Sequence, residues 1–188
     1  MLFVARVQGR LQHALRLGGT PVRFSRKVAF RGIGENHTVE VENYIQKQVE
    51  KEQFVDPRFS ELLKRFTIVD PAEALDEPSE SNSGRYWYNL HVVLAVASHG
   101  RIRSEDDFAK LDRMVQATAE KHQYGLAARA WMPDHLHVAL RGNIQESPGE
   151  IAVSIMNNTA FAMGQTAIWQ PGFYVGTFSE YDVRAVGR

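Results

Sequence analysis

Between residues 85 and 188 the periodic segments run strand, helix, strand, strand, helix, strand, an order that predicts an α+β fold. The expected architecture is a ferredoxin-like βαββαβ antiparallel sheet with helices on one face, preceded by an N-terminal helical segment. Two serine-led capping patterns mark the helix starts, and a tight connection around Pro133 joins two adjacent apolar runs. With 188 residues and 44% hydrophobic content, the chain can bury one sizeable core or one domain with an appended segment. The absence of cysteine excludes disulfides and thiolate metal sites. No apolar run approaches membrane-spanning length, so no membrane association is expected and the expected compartment is the cytoplasm.

Taken in order, the chain opens on a helix over residues 4–17, whose apolar side is Val4, Val7, Leu11, Leu15 and Leu17 and whose stop is Gly18-Gly19. Residues 21–29 read as extended. Thr38 is positioned to cap a second helix running to about residue 52, with Val41, Tyr44, Ile45 and Val49 as its apolar stripe. Asp56-Pro57 starts a short helix in which Phe59, Leu62, Leu63 and Phe66 recur at helical spacing. Residues 70–84 are acidic, rich in proline and serine, and poor in bulky apolar side chains, which predicts a mobile boundary. The expected units are therefore 1–55, a short helix with an acidic linker over 56–84, and a main domain over 85–188.

In that domain residues 86–97 form the first strand, and Ser104 with Asp107 opens a helix to about residue 122. Strands over 125–131 and 135–141 follow. Ser147-Pro148-Gly149-Glu150 opens a second helix ending at Gly164, and residues 173–178 close the set as a strand.

Charge is balanced in total but segregated. Residues 1–34 hold Arg6, Arg10, Arg16, Arg23, Arg26, Lys27 and Arg31 without one carboxylate, while residues 66–84 hold five carboxylates without a base. The basic end suits phosphate binding; each residue taken singly is equally an ordinary solvated charge.

The chemistry gathers at Pro133-Asp134-His135-Leu136-His137. Strand alternation sends both imidazoles to one face, about two residue rises apart, which is a geometry for a divalent metal. Two satisfied or half-exposed histidines would give the same pattern. Asp134 is placed where a carboxylate could orient one imidazole. Tyr44 and Gln48, four residues apart on the second helix, present a phenol and an amide one turn apart; an amphipathic helix burying a tyrosine gives that spacing too. His91, in the first strand of the main domain, reads either as a core or edge histidine or as a residue approaching the metal.

The stretch Trp131-Met132-Pro133-Asp134-His135-Leu136-His137-Val138 resembles the His-hydrophobic-His signature of the single-tyrosine transposases that move insertion sequences as single-stranded DNA. Residues 168–178 are similar to the segment before the catalytic helix in that family and in its relatives associated with repetitive extragenic palindromes. The family's catalytic helix is similar to Val41-x-x-Tyr44-Ile45-x-x-Gln48, although it usually follows the histidines rather than preceding them. A gapless pairing of Val28 with Phe173, Phe24 with Trp169 and Glu35 with Glu180 suggests a weak internal repeat, with the front of the chain supplying the helix. The resemblance implies a nucleophilic Tyr44; Mg²⁺ or Mn²⁺ held by His135, His137 and Gln48; and cleavage and rejoining of hairpin-flanked single-stranded DNA through a 5′-phosphotyrosine. Arg23, Arg26, Lys27, Arg31, Arg101 and Arg103 become candidate phosphate contacts, and a homodimer trading its helices is the family's frequent arrangement. Tyr181 is a weaker candidate nucleophile. Three other readings stay open: a domesticated hairpin-DNA binder that does not cut, a metal-dependent hydrolase of another class, and a non-catalytic dimerisation module.

Overall fold

The computed structural model describes residues 2–24, 28–34, 36–81 and 84–180. Along the chain lie α1 (Leu2–Leu17), β1 (Val28–Arg31), α2 (Thr38–Gln46), α3 (Gln48–Lys51), α4 (Pro57–Arg65), β2 (Thr67–Val69), β3 (Ser79–Ser81) and β4 (Gly84–Trp87). They are followed by β5 (Asn89–Val96), α5 (Glu105–His122), β6 (Gly125–Trp131), β7 (His135–Arg141), α6 (Pro148–Ala162) and β8 (Trp169–Phe178).

The main sheet has the order β2-β6-β7-β5-β8 with every pair antiparallel. Its last four strands have the order expected of a ferredoxin-like βαββαβ unit, and β2 adds one edge strand. A smaller sheet joins β1 parallel to β4 and β4 antiparallel to β3.

Local chemistry sets the helix ends. The Ser104 hydroxyl accepts from the Asp107 N–H at 3.1 Å, opening α5 with three carboxylates in its positive first turn. Ser147 and Glu150 cap α6 reciprocally, Pro148 takes its first position, and Gly164 adopts φ +68° just beyond its end.

The sheet has two covered faces. Leu90, Val92 and Leu94 of β5 and Leu136, Val138 and Leu140 of β7 pack with Phe108, Leu111 and Val115 of α5 and Ile151 and Ile155 of α6. Strand alternation turns His91, His135, His137 and Ala139 to the opposite face. There Val41 and Ile45 of α2 bury against Ala128, Ala130, Ala139 and Phe178. Alanines on β6 and β7 let the helix approach closely, so the front of the chain lies on the face that α5 and α6 leave open.

The segment reaches that face along the end of β8. The Thr177 hydroxyl donates to the Ile33 carbonyl at 2.6 Å, and the Ser179 N–H donates to the Asn36 carbonyl at 3.2 Å. A Cβ on Gly34 would come within 2.3 Å of the Thr177 carbonyl oxygen, so glycine alone permits this approach.

Several expectations need correction. The second helix begins at His37, which is its N-cap, because the Glu40 carboxylate accepts from the His37 N–H at 3.0 Å; the Thr38 hydroxyl is buried without a partner. That helix also breaks at Lys47, so Tyr44 lies in the last turn of one segment and Gln48 begins the next. Where a mobile boundary is expected over 70–84, the described residues 70–81 pack on the sheet. Leu75 is 1% exposed, and the Asn89 amide donates to its carbonyl at 2.7 Å, so one buried leucine and shared backbone bonds replace a general apolar composition. The strand expected over 86–97 is two strands parted at Tyr88, one in each sheet.

In α1, Val7, Leu11 and Leu17 remain exposed, and among the described side chains none from α1 belongs to either core. Its stop, Gly19 at φ +79°, stands as far before Gly164 as Val28 stands before Phe173. Helix, left-handed glycine and strand therefore recur in the register of the suggested repeat.

Candidate active site

Tyr44 stands over the two-histidine strand of its own chain. Its ring centroid is 5.4 Å from that of His137 and 5.9 Å from that of His91, edge-on to both. Val41 and Ile45 fix this placement by anchoring α2 on the alanine floor. Tyr44 itself is 45% exposed, so its phenol remains open to a large substrate.

Gln48 is buried, and its side-chain N–H donates to the Tyr44 carbonyl at 2.8 Å. This bond spans the break at Lys47 and leaves the amide oxygen as the atom available to accept or ligate. Lys51 holds its Nζ 3.6 Å from the Tyr44 ring centroid, a cation–π contact.

The histidines divide their nitrogens in a consistent way. His135 Nδ1 lies 2.7 Å from Asp134 Oδ1, and His137 Nδ1 lies 3.0 Å from His91 Nε2. With both Nδ1 atoms engaged, the Nε2 atoms are the ones left to bind a ligand; a carboxylate can only accept from His135 Nδ1, whereas the contact between His137 and His91 has a donor set by the tautomer. Burial, then the neighbouring His135, His91 and Lys51, pushes His137 down to about 3, and burial pushes His91 down to about 4. Both rings are neutral at pH 7, the state in which imidazole binds metal.

This donor chemistry fits a divalent metal: two imidazoles on one strand whose Nδ1 atoms are engaged, one of them by a carboxylate. Among the described residues no group of three His, Asp or Glu side chains is arranged to hold a metal ion. Gln48, whose side chain bonds the Tyr44 carbonyl, carries an amide oxygen that no described residue engages.

The expected phosphate contacts are more scattered. Arg101 and Arg103 are exposed on the loop before α5 and line a cavity of about 320 Å³ with Phe54, Phe59 and Pro133. The Ile102 N–H donates to the Pro133 carbonyl at 2.7 Å, which ties this loop to the start of the histidine strand. Arg23 is exposed between α1 and β1. Arg26, Lys27 and Tyr181 lie outside the described residues, as does the side chain of Arg31. Trp131 and Trp169 are core residues, with their indole N–H groups donating to Asp112 and Thr159.

One neighbour of this group, Lys51, escaped the sequence reading, and a second, His91, was read as a core or edge histidine or as one approaching the metal, without its partner. Lys51 continues the Tyr44 and Gln48 spacing at i+7, a signal present but unused. His91 carried no local signal of its pairing with His137, since that contact depends on the register of β5 against β7.

Among solved structures, a candidate transposase of Deinococcus radiodurans R1 is 18% identical, with a TM-score of 0.50 over 54% of this chain and 87% of that one. A REP-associated tyrosine transposase bound to a REP hairpin is 14% identical, with a TM-score of 0.41 over 47% of this chain and 55% of that one. No curated protein matches the chain. The sequence model of the family described as "Transposase IS200 like" matches residues 85–188, more than half of the chain, and the chain belongs to that transposase family.

Proposed function

We propose that this protein is a tyrosine transesterase acting on hairpin-flanked single-stranded DNA, with Tyr44 as nucleophile and a divalent metal held by His135, His137 and Gln48. DNA cleavage and rejoining is the general activity of the family. The observation that carries the finer reading is the position of Tyr44, half exposed and 5.4 Å from His137, on a helix from the opposite end of the chain.

The Tyr44 phenol loses its proton and its oxygen attacks the scissile phosphorus in line. A bond forms between that oxygen and phosphorus, the bond to the 3′ oxygen breaks, and the departing 3′ oxygen takes up a proton. The products are a 5′-phosphotyrosine and a free 3′-hydroxyl; the phosphodiester count is unchanged, so the reverse reaction rejoins the strand without a nucleotide cofactor. The Nε2 atoms of His135 and His137 and the Gln48 amide oxygen would hold Mg²⁺ or Mn²⁺, which supplies polarisation of the phosphate and offsets charge in the transition state. Lys51 holds the Tyr44 ring through its cation–π contact, and Arg101 and Arg103, exposed on the loop before α5, would engage flanking phosphates. One chain carries the tyrosine, both histidines and the amide, so this reading requires no partner subunit at the site.

The test is a covalent-adduct assay on a denaturing gel with labelled single-stranded hairpins and Mn²⁺. A protein–DNA band from the parent that is absent in Tyr44→Phe and His137→Ala supports the reading, provided both variants melt like the parent. Hairpin binding without an adduct would instead make the chain a DNA binder that does not cut. An adduct persisting in Tyr44→Phe would remove the nucleophile assignment.

A further inference from the structure

We infer that His91 is a positioning residue that fixes the proton of His137 on Nδ1 and thereby keeps the Nε2 lone pair of His137 free to ligate. The inference rests on the proposed metal reading. His135 has a carboxylate, Asp134, on its Nδ1, whereas His137 has only the His91 ring, at 3.0 Å from Nδ1 to Nε2. The two rings lie nearly parallel, with centroids 5.3 Å apart and 22° between planes. One proton sits between those nitrogens, and it has two possible owners. If His137 donates, its Nε2 carries a lone pair and binds metal. If His91 donates, the proton of neutral His137 lies on Nε2 and that nitrogen cannot ligate.

The surroundings hold His91 in place for the first arrangement. It stands on β5, which is paired on both sides, opposite Ala139 of β7 and Gly176 of β8. Tyr174 lies across Gly176, leaving no room there for a Cβ, and its ring meets His91 edge-on at 5.7 Å. The His91 ring is therefore held in the position where metal-binding histidines ordinarily find a carboxylate or a carbonyl.

Two readouts on the full chain test this. In the metal-free protein, long-range ¹H–¹⁵N correlation spectra of labelled imidazoles report which nitrogen of His137 holds the proton. Mn²⁺ titration followed by electron paramagnetic resonance gives the affinity. The parent is expected to show the proton on Nδ1. His91→Leu should move it toward Nε2 and weaken Mn²⁺ binding about 10- to 100-fold. In His91→Gln the amide oxygen reaches roughly the place of Nε2 and should restore both signals; His91→Asn, one carbon shorter, should resemble His91→Leu.

Unchanged protonation or unchanged Mn²⁺ affinity in His91→Leu overturns the inference. Should that variant not fold, equal affinities in His91→Gln and His91→Asn overturn it as well. His135→Ala and His137→Ala provide the separate check: if both bind Mn²⁺ like the parent, the metal reading itself fails, whatever the His137 spectra show.

Discussion

On the face that α5 and α6 cover, leucines, valines and phenylalanines interdigitate around one fully bonded polar group. Asp112 receives Arg129 Nε at 2.6 Å and Nη2 at 3.0 Å, the Trp131 indole at 2.9 Å and the Gln116 amide at 2.7 Å. On the face that α2 covers, alanines form the floor beneath Tyr44, whose ring meets those of His91 and His137, and no described residue hydrogen-bonds the Nε2 atoms of His135 and His137. A satisfied buried network locks a fold, whereas incompletely paired polar groups await a ligand. Damage to the first face should therefore appear in stability, and damage to the second in chemistry.

The largest effect should come from Asp112→Ala. Arg129 is 6% exposed and would be left as an uncompensated buried charge, costing about 3–5 kcal/mol. Urea denaturation should record this loss, while Mn²⁺ affinity, measured at low denaturant where the variant is folded, stays near the parent value. Loss of metal binding in the folded variant would mean that the two faces are not independent.

Ala139→Leu probes the other face. Ala139 is fully buried beneath α2, and overpacking costs about 1–3 kcal/mol. That face should yield by lifting α2, so adduct formation is expected to fall much more than the modest change in melting temperature suggests. A stability loss as large as that of Asp112→Ala with adduct formation intact would reverse the assignment of roles.

Acid should act on the second face as well. His91 and His137 are held at about 4 and about 3 in the folded protein, below the ordinary value of 6.5, so between those limits the unfolded chain binds more protons. Their contribution to stability is whole above about pH 6.5 and is lost progressively as pH falls toward 4 and then 3. In chelator-treated protein, thermal melting followed from pH 7 to pH 4 should decline for the parent. The double variant His91→Gln, His137→Gln should decline less over the same window.

How far all this could be read in the sequence follows from the range of the interactions involved. The helix starts at Ser104 and Ser147 and the shared face of His135 and His137 are set by neighbours a few residues away, and the periodicity displayed them. Tyr44 and Gln48 were found by helical spacing, but the break at Lys47 between them was not, because no proline or glycine marks it. Residues 70–84 look unstructured by composition, but the structure of the described ones, 70–81, is supplied from elsewhere: the Asp70 N–H donates to the Ala127 carbonyl at 2.8 Å, and Asn89 holds the Leu75 carbonyl. The link from His91 to His137 required knowing which strands are neighbours and in what register, and composition carries neither.

The smallest effect belongs to Lys51. Its ammonium lies 3.6 Å from the Tyr44 ring centroid at an exposed position, where a cation–π contact contributes about 0.5–1 kcal/mol. Because the contact joins α3 to the tyrosine of α2, it restrains the ring across the break at Lys47. Lys51→Met keeps the apolar stem and removes the charge, so single-turnover adduct formation should slow by about 2- to 5-fold, the rate equivalent of that energy. Lys51→Arg, which stacks on aromatic faces equally well, should recover most of the rate. The melting temperature should fall by no more than about 1–4 °C in Lys51→Met, the shift that such an energy gives a chain of this size. If Lys51→Met melts lower than that at an unchanged rate, the lysine is structural and the Tyr44 ring is held by something else.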